Sequence, residues 1–406
     1  MKQSVLEQIA FEQKEHLTIS DAGLERDTLD LLPNLSSHAL IISGIRRCGK
    51  STLLHQYVKK NNQDAFYFNF EDIRLYEFQI SDFIILDQVI ESSGLKVLFF
   101  DEIQIIRGWE LYVRQKLDQG FKVIITGSNA SLLSRELGTK LTGRHITKEL
   151  FPFSYSEFIE FKKLDPSEQS FYEYVETGGF PEVVKTGHHE ILSFLIEDII
   201  NRDIVVRYGI KDAASVKKLF SYLLSNAAKL TTPSKLKEMI GIKSPSTILD
   251  YFSHLESCYL IHMVPKFSYS LKSQMLAPKK MYVNDTGLIK AGSVSFSEDK
   301  GRLLENIVFC ELRRHGKEIY YFNENSKECD FIEMNKGQVK QIIQVCWELN
   351  HENEEREIDG LVEALDYFKQ ENGIIVTVNQ KDLIRKGQHM IRVIPVYEYL
   401  ISQKSD

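Results

Sequence analysis

The run Ala39-Leu40-Ile41-Ile42-Ser43 passes without a polar break into Gly44-Ile45-Arg46-Arg47-Cys48-Gly49-Lys50-Ser51-Thr52. An apolar strand that ends in a glycine-bounded loop and reopens as a helix constrains the fold more than any other stretch of the chain. The glycines let backbone N–H groups turn inward around an anion, Lys50 reaches the outer phosphates, and the Ser51 hydroxyl ligates Mg²⁺. A helix starting near Lys50 adds the positive end of its dipole. The spacing predicts a parallel α/β sheet with this loop at the carboxyl end of its first strand, gripping a nucleoside triphosphate through residues 44 to 52.

At 406 residues the chain is too long for one core, so two to four domains are expected. Its composition, 43% hydrophobic and 26% charged, is that of a soluble globular protein. No apolar run approaches the ~20 residues that span a bilayer, so no membrane partner is expected. The amino terminus, MKQSVLEQIAFEQKEHL, is polar and helical in period and lacks a signal-peptide core. Cys48, Cys258, Cys310, Cys329 and Cys346 form no CxxC pair, which suggests free thiols in a reducing cytoplasm. A formal charge of −7 argues against a protein that coats nucleic acid over its whole surface. Residues 211–280, however, hold 11 Lys, no Arg and 4 acids; that segment is +7 and the rest of the chain −14. Such an island fits a surface for an anionic polymer, or a solvated lysine face.

Periodicity divides the chain. Residues 1–37 read as a helical lead-in, and nearly continuous apolar strands at 39–43, 65–70, 96–100 and 122–127 alternate with helical stretches. Residues 150–210 have helical period broken by Gly-Gly-Phe-Pro at 178–181 and read as a helical lid on the sheet domain. Three helices are expected over 213–265, with Pro233 and Pro245 at two of the starts and a short turn containing Gly241 between the second and third. A β-like run at 260–269 follows, an order that predicts a winged helix-turn-helix. A helix at 302–315, strands at 318–323, 328–334 and 339–349, a charged helix, and strands at GIIVTVN and RVIPVYEYL form a second α/β domain. The domains expected are 1–150, 151–210, 211–275 and 276–406.

The other half of the nucleotide pocket is Lys96-Val-Leu-Phe-Phe-Asp101-Glu102. Asp101, at a strand end, would hold the Mg²⁺ shell, and Glu102 would polarise the attacking water. The next strand ends Thr126-Gly-Ser128-Asn129, where Ser128 or Asn129 could sense the γ-phosphate or simply cap a turn. Arg144 is the first candidate for an arginine reaching a neighbouring subunit's γ-phosphate, with Arg202 and Arg207 behind it; a surface ion pair is the alternative for each. In the third helix, Ile248, Leu249, Phe252, Leu255 and Cys258 make an inward face. Ser246 and Thr247, with Lys235, Lys237 and Lys243 ahead of them, suit phosphate-led binding of weak sequence preference. The alternative is a winged helix that contacts protein.

With these pieces in place, the chain resembles a family of prokaryotic ATPases related to AAA+ and archaeal-type P-loop proteins, with a C-terminal region of unknown function. The resemblance rests on GIRRCGKST, FNFED, FFDEIQ, ITGSNASLLS, LTGRH, ELFPFSYSEF, GGFPEVV, RDIVVRYGI, YVNDTGLI and the closing LLENIVFCEL, ECDFI and IIQVC. It implies ATP as the nucleotide, an ATPase core, a helical lid, a winged helix and a C-terminal domain similar to PD-(D/E)XK nucleases. In that nuclease class Glu305 and Asp330 would be metal ligands, but the E-x-K position reads Gln344-Val345-Cys346. A neutral amide and a thiol replace a carboxylate and the lysine, so a domain without nuclease activity is expected. The reading is a Mg-dependent ATPase acting on duplex or branched DNA as a homo-oligomeric motor, a hexamer being one form. A signal-transducing switch with a protein partner and an ATP-coupled nuclease stand as alternatives.

Overall fold

The protein is described from a computed structural model covering residues 1–19, 23–61, 64–129, 141, 143–294, 299–325 and 327–403. It is a multi-domain α/β chain that divides into two compact units, 1–151 and 152–406. Residues 130–134 of ITGSNASLLS and residue 142 of LTGRH lie outside the described residues.

The first unit runs α1 (Gln3–Ile19), β1 (Ala39–Ser43), α2 (Lys50–Lys60), β2 (Phe66–Asn69), α3 (Phe83–Ser93), β3 (Val97–Asp101), α4 (Trp109–Asp118), β4 (Lys122–Gly127) and β5 (His145–Glu149). The strands form one parallel sheet in the order β2-β3-β4-β1-β5, which places β1 and its loop between β4 and β5. Every residue of β1 is buried, as a strand covered on both faces requires. Leu6 and Ile9 of α1 join Phe68, Leu86 and Phe100 in the core of this unit. Strand β5 was not among the expected strands. Its sequence, His-Ile-Thr-Lys-Glu, is half-buried at the sheet edge and lacks the apolar continuity that marks the inner strands.

The second unit begins with α5 (Tyr155–Lys162), α6 (Glu168–Thr177), α7 (Pro181–Thr186) and α8 (Glu190–Asp198), the last continuing as a π-helix to Val206. There follow α9 (Ala213–Leu224), β6 (Lys229–Thr231), α10 (Pro233–Ile240), α11 (Pro245–Ser257), β7 (Ile261–Val264), α12 (Leu271–Leu276), β8 (Lys279–Val283) and α13 (Thr286–Gly292). Proline occupies the first turn of α10 and α11, where its missing N–H costs nothing, and Gly241 ends α10 at φ 87°. Strands β6, β8 and β7 form a three-stranded antiparallel sheet. The expected boundary at 275/276 therefore falls inside the β7–β8 hairpin. On α11 the inward face differs from expectation at one position: Leu249 is 55% exposed, and Tyr251, 8% exposed, packs inward in its place.

The remainder is α14 (Lys300–Arg314), β9 (Glu318–Glu324), β10 (Lys327–Asn335), β11 (Gln338–Val345), α15 (Glu354–Phe368), β12 (Asn372–Thr377), β13 (Asp382–Lys386), β14 (His389–Pro395) and α16 (Val396–Ser402). Its mixed sheet has the order β13-β14-β12-β11-β10-β9, with α15 packed through Ile358, Leu361 and Leu365. RVIPVYEYL, expected as one strand, splits at Pro395 into β14 and α16. A proline N-terminal to Val-Tyr-Glu-Tyr-Leu ends strand pairing and suits a helix start.

Several motifs of the second unit meet at one buried joint. Asp285 accepts hydrogen bonds from the backbone N–H groups of Gly179 and Gly287, both at 2.8 Å. Phe153 N–H donates to the Gly179 carbonyl at 2.6 Å, and Arg314 donates to the carbonyls of Pro152 and Phe153 at 2.7 and 3.1 Å. A Cβ on Gly179 would lie 2.2 Å from the Phe153 carbonyl oxygen, and Gly178 holds φ 72°. These two glycines serve packing. Replacing Gly179 with Ala is expected to destabilise the second unit by about 2–3 kcal/mol, read as an earlier urea midpoint; an unchanged midpoint would remove the joint from the account.

Burial pushes the Asp285 carboxyl up to about 6, against the pull of its two N–H donors and Arg314. Its proton is thus held more tightly folded than unfolded. That contribution is complete below the unfolded value near 4 and fades as pH rises towards 6, by up to about 3 kcal/mol. The stability advantage over Asp285→Asn should therefore be larger at pH about 5 than at about 7.5; an advantage that grows with pH would contradict this.

Candidate nucleotide site

The loop after β1 is built to approach something closely. Gly44 N–H donates to the Gly127 carbonyl, and a Cβ at Gly44 would sit 2.1 Å from the Leu150 carbonyl oxygen. Arg47 and Gly49 take φ 63° and 101°, left-handed geometry that turns the loop just before α2. Ile45 and Cys48 are fully buried, so they serve the loop through backbone groups only, while Arg47 is exposed and Arg46 pairs with Glu71 at 2.7 Å. Lys50, 7% exposed, donates to the carbonyls of Gly44 and Ile45 at 3.0 and 3.1 Å, so its ammonium sits inside the loop it follows. Thr52 is half-buried one position beyond Ser51.

The sheet supplies the acids. Asp101 ends β3 in register with Asn69 on β2 and Thr126 on β4. Its carboxylate accepts from Ser51 Oγ at 2.8 Å, from Tyr67 OH at 3.0 Å and from Thr126 Oγ1. The Ser51 and Asp101 expected to share a metal shell are thus brought into contact from opposite halves of the site. Hydroxyl and carboxylate oxygens are the hard donors that Mg²⁺ takes, and the close approach at Gly44 leaves the backbone open to phosphate, so the residues present fit a Mg-nucleotide.

Glu102 follows at φ 55°, a strained left-handed position for a non-glycine residue, anchored by its N–H to the Thr126 carbonyl at 2.9 Å. Its carboxylate is held by Ser128, through backbone N–H at 3.3 Å and Oγ at 3.1 Å, and by the Gln104 amide. Burial raises the Glu102 carboxyl above its usual range, against the pull of Lys50. Ser128 therefore lies at the carboxylate expected to act as base. Asn129 is 4% exposed, and its carbonyl accepts from Ser43 Oγ at 3.1 Å. Arg144 donates to the Ser37 carbonyl at 3.1 Å and its guanidinium pairs with Asp118, the ion-pair alternative named for it above. Arg202 and Arg207 lie exposed in the second unit.

Three contributors went unseen in the sequence. Tyr67 and Thr126 face Asp101 only because β2, β3 and β4 pair in register. Arg26, 3% exposed, donates to the carbonyls of Cys48 and Phe151 at 2.8 and 2.7 Å and so fixes the loop from beneath. Tyr67 carried a readable signal, a polar tip in an apolar strand that ends level with Asp101.

A second acidic centre lies in the C-terminal sheet, on a cavity of about 770 Å³ whose lining includes Glu305, Asp330, Gln344 and Cys346. The four residues expected at a degenerate nuclease centre are thus brought together. Gln344 Oε1 accepts from Asp330 N–H at 3.2 Å, and its amide donates to Glu357 at 2.6 Å. Cys346 is buried and its thiol is pushed up by that burial, with Glu357 and Asp330 adding to the effect. Of the expected DNA contacts, Lys235, Lys243 and Ser246 are exposed and Lys237 and Thr247 half-buried.

Comparison with known proteins adds the family. Residues 36–159 match an AAA domain, 168–298 the domain of unknown function DUF8612, and 300–399 the domain of unknown function DUF4143. An uncharacterized protein of Methanocaldococcus jannaschii is 34% identical over 405 residues, spanning 92% of this chain and 90% of that one. The chain belongs to this family of AAA-domain P-loop ATPases. An uncharacterized Haemophilus influenzae protein is 33% identical over 353 residues, 81% of this chain and 87% of its own. Among solved structures, AMPPCP-bound DnaA from Aquifex aeolicus aligns at 14% identity and a TM-score of 0.29, covering 57% of this chain and 85% of that one. The Thermotoga maritima RuvB Holliday junction branch migration motor aligns at 17% and 0.30, covering 56% and 82%. No helix among the described residues is long and apolar enough to cross a membrane.

Among the described glycines of this AAA domain, Gly44 has the closest approach, 2.1 Å from a built Cβ to the Leu150 carbonyl oxygen. Gly44→Ala should shift the Leu150 strand end or the loop and lower the thermal midpoint by several degrees, about 2 kcal/mol or more; retention of the wild-type midpoint would contradict the close approach.

Proposed function

We propose that the chain hydrolyses ATP with Mg²⁺ in its first unit and couples that cycle to DNA. The observation that carries the first half is the 2.8 Å contact between the Ser51 hydroxyl and the Asp101 carboxylate, with Lys50 inside the loop and Glu102 next in sequence. Bound there, Mg²⁺ would supply positive charge against the phosphates. Residues 44 to 49 would present backbone N–H groups to the phosphates, Lys50 would exchange its two carbonyl partners for phosphate oxygens, and Ser51 and Asp101 would hold the metal. Glu102 takes the proton of the attacking water, and its raised affinity for protons suits that role at neutral pH. Ser128 and Gln104 both hold its Oε2, so Oε1 is the oxygen that meets the water, and in this reading Ser128 positions the base. Arg144 would have to exchange its Asp118 partner to serve a neighbouring site.

The order helix, strand, helix, helix, strand, strand over 213–283, with the short α12 inserted between the last two strands, supports the winged-helix reading, and exposed Lys235 and Lys243 support phosphate contact. Lys280, counted in the basic island, is buried and withdrawn from any such surface. A second reading, a switch with a protein partner, is favoured by Leu249. It stands 55% exposed on the helical face that also carries Ser246, Asp250 and Ser253.

Lys50→Ala should abolish nucleotide binding. Glu102→Gln should bind ATP while its turnover falls at least about a hundredfold, checked by single-turnover phosphate release; normal turnover would remove Glu102 from the base role. ATPase rate with and without duplex DNA across a salt series separates the two partners: stimulation that fades as salt rises supports DNA, and no response supports the protein-linked switch.

A further inference from the structure

The centre of the C-terminal domain already contains a cation. Lys280 Nζ lies 3.0 Å from Glu305 Oε1, 2.6 Å from Glu328 Oε1 and 2.7 Å from Asp330 Oδ1, and the side chain is 3% exposed. Lys280 and Tyr282 are two apart on β8, hence on the same face of that strand, and Tyr282 OH donates to the same Glu305 oxygen at 2.6 Å. The other Asp330 oxygen accepts from Val345 N–H at 2.9 Å. One strand outside the C-terminal sheet thus delivers an ammonium and a phenol to acids on α14 and β10. The E-x-K position, where a lysine is absent, instead turns inward to Asp330 N–H and Glu357.

We propose that Lys280 is a tethered cation that occupies this acidic centre in place of a divalent metal, so that the centre takes up a metal only when the ammonium is removed. Two buried carboxylates, Glu305 and Asp330, with the half-exposed Glu328 beside them, cannot stay this close without positive charge among them. A divalent ion would sit about 2.0–2.6 Å from carboxylate oxygens. An ammonium within 3.0 Å of three such oxygens holds that space and repels a second cation. The cavity beside the centre is lined by seven acids and, with Arg302, Lys327 and Arg356, three bases, so it does not attract a DNA backbone that would bring its own metal. The basis for metal independence is therefore the lysine supplied by β8, more than the loss of Glu and Lys at positions 344 and 346. The proposal is independent of the nucleotide chemistry of the first unit.

The test is Mn²⁺ uptake by the full chain without nucleotide, followed by the loss of the free-ion electron paramagnetic resonance signal, with Asp101→Asn present throughout to silence the first unit. That chain should take up no Mn²⁺. Adding Lys280→Ala should create one site per chain with affinity raised at least tenfold, and adding Asp330→Asn should remove it. Lys280→Arg, which keeps the charge, should stay metal-free. Uptake by the Lys280-containing chain that Asp330→Asn abolishes would overturn the proposal, as would a folded Lys280→Ala chain that takes none. If Lys280→Ala folds only with Mn²⁺, judged by circular dichroism, the proposal stands. If it stays unfolded in Mn²⁺, the proposal fails, because a metal that fits would restore the missing charge.

Discussion

The Asp101 carboxylate is the point on which the first unit turns. It collects hydroxyls from Ser51 at the start of α2, Tyr67 on β2 and Thr126 on β4. A buried carboxylate needs that many donors to offset its desolvation. In meeting the need it ties the loop, α2 and three strands into one arrangement. The same oxygens are the ones a hard cation would seek, so the interaction that orders the sheet end also prepares the site. Arg26 completes the frame from beneath by fixing the carbonyls of Cys48 and Phe151.

The second unit meets the same electrostatic problem differently. Glu305, Glu328 and Asp330 gather around Lys280, and burial, with Asp330 beside it, pushes the Glu305 carboxyl up to about 8. Burial raises the Asp330 carboxyl as well, against the pull of Lys280, so the two acids share the cost of lying close together, and Glu305 also accepts the Tyr282 hydroxyl. Burial opposes the charge on Lys280, but its carboxylate partners outweigh it and keep the ammonium protonated. Asp101 is satisfied by neutral hydroxyls that a metal can join. The C-terminal cluster is satisfied by a cation that a metal would have to displace.

The strands of the inner sheet, the loop and the Asp101–Glu102 pair were legible because their residues are contiguous and their apolar runs continuous. Strand β5 was not, since an edge strand that is half exposed has no periodic mark. Leu249 followed the apolar stripe of α11 in sequence yet points to solvent, and Tyr251 takes its place inward, which composition alone could not decide. RVIPVYEYL read as one strand because Val, Ile and Tyr favour strands on either side of Pro395. The deeper gaps are non-local. Lys280 lies 25 residues before Glu305 and 50 before Asp330, on a strand that belongs to a different sheet, and no spacing rule links them. The GGFP run read as a break between helices and YVNDTGL only as part of the family resemblance, and the structure uses Gly178, Gly179 and Asp285 to join two parts of the same unit.

The most direct measurement is calorimetric titration of the full chain with a non-hydrolysable ATP analogue, with and without Mg²⁺, beside Asp101→Asn. The account predicts one site per chain, tighter with Mg²⁺, and a metal-dependent gain that Asp101→Asn erases. A chain that gives no heat of association, or one whose binding is unaffected by both the metal and the substitution, would contradict it.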